Sequence, residues 1–228
     1  MATTSAKSGA AGKSKAKAKA AARPGAKKPV EADAPVRGIE ERLVDAALAL
    51  AAERPWDDVP LADIADRAGL PLADLHPDHA RRGQILAAFS RRIDATLLAE
   101  DFSDLAAEPA RDRLFDVLMR RFDLLVPYRE GLRSIARALS RDPVAALGQA
   151  PALDRAMAWA LEAAGISASG WRGRLRVRGL GLAWLAAFRI WLDDGPDQAR
   201  TMAELDRQLS RLDLWARRIG LGSGAGSS

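Results

Sequence analysis

The 228-residue chain contains no cysteine, a single tyrosine and two histidines. Without cysteine, disulfide frameworks, thiol nucleophiles and thiolate-ligated metals are excluded. No stretch of about 18 apolar residues is present, so no membrane-spanning helix is expected. The first residues lack the apolar core of a secretory leader, and a cytoplasmic location is expected. β-Branched residues are sparse beside Ala, Leu and Arg, which favours helix over strand. There is no phosphate-cradling glycine loop, no nucleophile–base pattern and no set of metal-ligating residues. The sequence therefore points away from an enzyme, and no cofactor or metal is expected.

Lysine is missing from every position after Lys28. Residues 1–36 hold seven lysines and Arg23 against Glu31 and Asp33, a balance of +6. The total is +5, so the other 192 residues carry −1. The first 36 residues also lack large apolar side chains beyond Met1, Val30 and Val36. Such a segment cannot bury enough surface to offset its ordering entropy, and a disordered tail is expected. Its cations suit non-specific contact with nucleic acid or with an anionic membrane surface, or serve only to solubilise.

From residue 37 onward the apolar residues recur at helical spacing. Ile39, Leu43, Ala46, Ala47 and Leu50 form one stripe, and Pro55 ends it. A second helix is predicted with Asp58 as its cap, Leu61, Ile64, Ala65 and Ala68 as its inner face, and Gly69 as its stop. A third, short helix is predicted from Pro71 to His79, with Leu72 and Leu75 inward. A longer one follows from about Arg81 to Glu100. Further helices are predicted over 111–126, 129–140, 153–164, 171–192 and 198–219. The expected architecture is all-α, with about nine helices. A three-helix head with its connecting helix spans 37–100, a bundle spans 101–220, and 221–228 form a flexible end.

Leu43-Val-Asp-Ala-Ala, Asp63-Ile64-Ala65 and Ala68-Gly69-Leu70 resemble the head of the tetracycline-repressor (TetR) family. The resemblance implies a helix-turn-helix, a homodimer reading DNA, and a bundle that binds a small effector. That family usually carries Ser-x-Gly-Thr-Leu-Tyr-x-His-Phe where this chain has Pro71-Leu-Ala-Asp74-Leu75-His76-Pro77-Asp78-His79. No cation lies in this segment, and two carboxylates beside a duplex weaken a binding mode driven by cations. By the resemblance, Asp74 and His76 face bases while Arg81 and Arg82 face phosphate. The competing reading makes the two arginines a solvated helix start. His76 and His79 are three apart, but Pro77 intervenes and no further ligand exists, so a structural role is favoured over a metal site.

Two other stretches resemble the ubiquinone-biosynthesis accessory protein family. They are Arg120-Arg121-Phe-Asp-Leu-Leu-Val-Pro127-Tyr128 and Trp191-Leu-Asp-Asp-Gly-Pro-Asp-Gln-Ala-Arg-Thr201-Met-Ala-Glu-Leu205-Asp206-Arg207. This second resemblance implies a repressor-like fold that no longer reads DNA and binds isoprenoid lipid or quinone. Met157, Trp159, Trp184, Phe188 and Trp191 are the candidate lining of an apolar ligand cavity, with core packing as the alternative. Leu205, Leu209, Leu212 and Trp215, with Leu180, Trp184 and Trp191, suit a dimer interface built from the last two helices. Arg172, Arg174, Arg176 and Arg178 read as a solvated or ion-paired face. The leading expectation is a homodimeric DNA-binding regulator with an apolar effector. The alternative is a lipid-binding accessory protein.

Overall fold

A computed structural model describes residues 38–75 and 79–218. Among them are nine α-helices and no strand. Helix α1 (Ile39–Glu53) opens with Glu40 and Glu41 in its first turn, where carboxylates complement the helix dipole. It buries Leu43, Val44, Ala46, Ala47, Leu50 and Ala51. Ile39, expected in the same stripe, is exposed at the helix start. Arg54 is extended because Pro55 disfavours helical geometry in the residue before it.

Helix α2 (Leu61–Ala68) starts two residues later than a cap at Asp58 would place it. Pro60 occupies the N-cap, and no side chain caps the helix, so Asp58 does not serve as its cap. Asp58 instead closes a 3-10 turn, Trp56–Asp58. Gly69 ends α2 in the left-handed region at φ 64°, which glycine reaches without steric cost.

The expected third helix is replaced by a shorter element. Leu72–Leu75 form a 3-10 turn, and His76, Pro77 and Asp78 lie outside the described residues. Pro71 and Pro77 leave five residues between them, too few for a stable α-helix of their own. Leu75 is fully buried as expected, but Leu72 is 55% exposed: a tight turn does not keep residues three apart on the same inner face as a longer helix would.

Helix α3 (Arg82–Leu98) buries Ile85, Ala88, Phe89, Ile93 and Leu97. Helix α4 (Ala110–Leu125) continues through a 3-10 turn at Pro127 into α5 (Arg129–Arg141). Helix α6 (Pro143–Gly148) has no counterpart among the helices expected from the sequence. Asp142 caps it by accepting from the Ala145 amide at 2.9 Å. Helices α7 (Ala150–Ala163), α8 (Gly170–Trp191) and α9 (Ala199–Arg218) complete the bundle.

The helices share one continuous core. Helix α1 packs on α2, α3 and α5; α3 packs on α4 and α7; α8 lies between α7 and α9. Among the described residues no helix is long and apolar enough to cross a membrane.

Candidate functional site

The 3-10 turn after α2 carries an exposed carboxylate, and of the two arginines that follow it one is turned inward. Asp74 is exposed in the 3-10 turn. Arg81 is exposed, and its amide donates to Oε1 of Gln84 at 2.9 Å, which fixes the start of α3. Arg82 does not face outward. Its guanidinium lies 5.0 Å from the centre of the Trp56 ring and donates to the carbonyl oxygens of Trp56 and Val59, the latter at 2.9 Å. These contacts span 26 and 23 residues, so nothing in the sequence pattern announces them. They make Arg82 the tie between α3 and the turn after α1.

His76, the other candidate base contact, lies outside the described residues. His79 is buried, its amide donates to the Leu75 carbonyl at 2.7 Å, and its Nε2 stands 3.5 Å from a Glu40 carboxylate oxygen. Glu40 is also bound by Arg91 at 2.6 Å. His79 thus braces the turn against α1.

In the bundle, Met157, Trp184 and Trp191 are buried and Phe188 is half-buried. Trp184 stacks on Phe122 with centroids 4.1 Å apart, Phe122 meets Trp191 at 5.7 Å, and Phe188 meets Trp191 at 5.6 Å. The two pairs near 5.6 Å lie in the range where aromatic rings gain more than their buried area alone provides. Trp159 is 45% exposed and stands outside this cluster, so it does not line the interior. Its neighbours Ala158 and Ala160 turn inward instead, as helical geometry requires once Met157 and Ala160 face the core.

The polar members of this interior carry no clear mark in the sequence. Arg121 is buried beneath Trp184, 5.7 Å from its ring, and donates to Asp94 at 2.6 Å. Burial pushes the Arg121 pKa below its ordinary value, against the opposing pull of Asp94. Arg129 lies 4.5 Å from the Trp191 ring and donates to the Asp194 carbonyl at 2.9 Å. Phe122, Arg121 and Asp94 reach the cluster from α4 and α3. The one available signal is a pair of charged residues at inward helical positions, which reads equally as a boundary residue.

The last two helices divide differently from the expectation. Leu205 and Leu209 are buried in the chain's own core, as are Leu180, Trp184 and Trp191. They cannot supply an interface to another copy because α8 and α9 already cover each other there. Leu212 is half-buried, and Trp215 is 64% exposed beside exposed Leu214. A different outward stripe exists on α8: Trp171, Leu175, Leu182 and Leu185 are exposed at spacings of four, seven and three, with Leu182 at 72%. Arg178 pairs with Asp154 at 2.9 Å and Arg176 donates to the Ser167 carbonyl at 3.1 Å, so part of the arginine run is internally engaged.

Asp194 lies in the α8–α9 turn. Its Oδ2 accepts from the Thr201 amide at 2.7 Å and the Thr201 hydroxyl at 2.6 Å. Burial pushes its pKa up, but the bonds from Thr201 and the Gly195 amide outweigh it and hold the group below 3.8.

No family model matches the chain, and no curated protein matches it. Among solved structures, a TetR transcriptional regulator from Nitrosomonas europaea ATCC 19718 is similar, with a TM-score of 0.61 at 24% identity, over 78% of this chain and 99% of that one. A TetR transcriptional regulator from Rhodococcus sp. RHA1 gives a TM-score of 0.59 at 21% identity, over 76% of this chain and 94% of that one. The chain has the all-helical fold of these proteins.

Proposed function

We propose that the chain is a homodimeric transcriptional regulator of the TetR type, with a divergent DNA-reading head and a small apolar effector in its bundle. The observation that carries this reading is the shared fold, which extends over nearly the whole length of a TetR regulator rather than over the head alone. The dimer forms through the outward stripe of α8, with Leu182 and Leu185, and the Leu214–Trp215 end of α9. An exposed apolar stripe of this length is costly to leave in water. The effector enters beside Met157, Trp184, Phe188 and Trp191, where sliding of stacked rings opens space between helices. On the head, Asp74 and Arg81 are the described residues free to approach DNA, and the lysine-rich tail adds sequence-independent attraction.

The test is the dependence of duplex affinity on salt, measured for the full chain and for residues 37–228. A slope that survives removal of the tail supports the regulator. A body with no salt-dependent duplex affinity removes it. Dimerisation is checked by analytical ultracentrifugation of Leu182→Glu, which is expected to sediment as a monomer.

A second reading has its own support. The acidic 3-10 turn and the inward Arg82 favour a repressor-like fold that no longer reads DNA, and in that case the resemblance to the ubiquinone-biosynthesis accessory family makes an isoprenoid- or quinone-binding role the alternative. Mass spectrometry of an organic extract of the purified protein separates the two readings. Co-purifying isoprenoid together with a tail-only salt slope selects the accessory protein. Their absence, with no thermal stabilisation by quinone analogues, excludes it.

A further inference from the structure

We propose that the groove between the end of α1 and α5 binds a compact polyanion of the pyrophosphate class, a site independent of both readings above. The groove encloses about 340 Å³, and Arg54, Trp56, Arg133, Ser134, Arg137 and Arg141 contribute to its walls. Ser134 builds it: its hydroxyl accepts from the Trp56 amide at 2.9 Å and donates to the Arg54 carbonyl at 3.3 Å, pinning the chain after α1 against α5.

Helix α5 carries Arg129, Arg133, Arg137 and Arg141 at four-residue intervals, a single column of like charge. Such a column is unfavourable unless each cation is offset. The first two are. Arg129 is held by Trp191 and the Asp194 carbonyl. Arg133 grips Glu130 with bonds of 2.6 and 2.7 Å and reaches Asp193 at 3.0 Å. The second two are held less or not at all. Arg141 is 72% exposed and meets Asp57 only at 3.5 Å. The Arg137 guanidinium is exposed and has no hydrogen-bond or ion-pair partner among the described residues.

A third cation stands on the opposite wall: Arg54, ion-paired to Asp63 through one terminal nitrogen, adds its charge to the groove. Three carboxylates also line the groove, and each faces a cation: Glu53 is bound to Arg67 through two bonds of 2.7 Å, Glu130 to Arg133, and Asp57 to Arg141 at 3.5 Å. Arg137 and Arg141, with Arg54 across from them, thus line one small groove, and Arg137 brings a full set of unused donors. Planar forks match phosphate oxygens in pairs, and two linked phosphates match several forks at once.

The experiment titrates the full-length protein with sodium pyrophosphate at constant ionic strength, read by calorimetry and by hydrogen-exchange mass spectrometry. Slower exchange is expected in peptides covering 51–57 and 134–141. The Arg137→Gln/Arg141→Gln variant is expected to lose about tenfold in affinity, because charge-assisted bonds to phosphate carry the recognition. Arg137→Lys, which keeps charge without the fork, falls between. Arg200→Gln, an exposed arginine on α9, changes affinity less than about twofold, as a remote solvated charge should. The lysine tail is common to all four proteins, so differences among them report the groove. Protection confined to the tail, undiminished affinity of the double variant, or an equal effect from sulfate overturns the proposal. Stronger protection of the same peptides by a short DNA duplex also overturns it and assigns the groove to nucleic acid.

Discussion

The carbonyl oxygen of Leu48 lies 2.6 Å from where a Cβ on Gly131 would stand. Helices α1 and α5 therefore touch backbone to backbone, and the missing side chain is what lets α5 seat on α1. Gly131→Ala raises intrinsic helix propensity by about 1 kcal/mol. Forcing a methyl group into a closed contact costs about 1–3 kcal/mol. A net loss in urea midpoint is the expected result, and a gain in stability would show that the two helices are not in such close contact.

Asp94 and Arg121 form a buried ion pair between α3 and α4, with side-chain exposures of 5% and 6%. Asp94→Ala strands a buried cation and is expected to cost about 3–5 kcal/mol. Replacing both partners by apolar residues, as in Asp94→Leu/Arg121→Met, is expected to recover most of that loss, since two desolvated charges offset little of their own burial cost. Chemical denaturation of the single and double variants decides the matter. Equal losses in both would mean the pair is worth more than its desolvation.

Arg82 provides a direct contrast between structural and DNA-facing roles. Arg82→Ala removes two backbone acceptor contacts and a ring contact, and is expected to cost about 2 kcal/mol of folding stability. Arg82→Lys is expected to restore little, because an ammonium neither forks nor stacks as a guanidinium does. Unchanged stability with reduced duplex affinity would place this side chain on phosphate instead.

Asp194 sets an acid limit on the α8–α9 turn. Its folded pKa lies below its ordinary value of 3.8. A depressed carboxyl contributes stability that is complete above the unfolded value and disappears as pH falls through the folded one. The loss therefore begins near pH 3.8 and runs downward. Asp194→Asn keeps a neutral acceptor for Thr201 while removing the charge. Its thermal unfolding is expected to vary less between about pH 4.5 and about pH 2.5 than that of the native chain, and an unchanged slope would show that other carboxyls govern this window.

The long helices are legible in the sequence because their apolar residues repeat with the helical period. Leu114, Leu118, Phe122 and Leu125 mark the buried face of α4 by their spacing alone. Helix α6 is not legible, since Val144 and Leu147 are exposed and a six-residue element has room for no stripe. The turn at Leu72–Leu75 departs from expectation because the repressor-like pattern around it implies a helix that Pro71 and Pro77 curtail. The polar interior is illegible for another reason. Asp94 and Arg121 are 27 residues apart, and one charged residue on an apolar face looks the same whether it will be buried and paired or left at the rim.

Composition and periodicity by themselves determined that this protein is helical, free of thiol chemistry and divided into a cationic tail and a nearly neutral body. Those properties are local, because each residue contributes its own propensity and charge wherever it ends up. Which apolar face meets which neighbour was decided only in three dimensions. Leu205 and Trp215 lie on the same helix and look equivalent in the sequence, yet one is sealed in the core and the other is 64% exposed. The difference is that α4 and α8 pack on the first part of α9, and burial is a property of the neighbours rather than of the side chain.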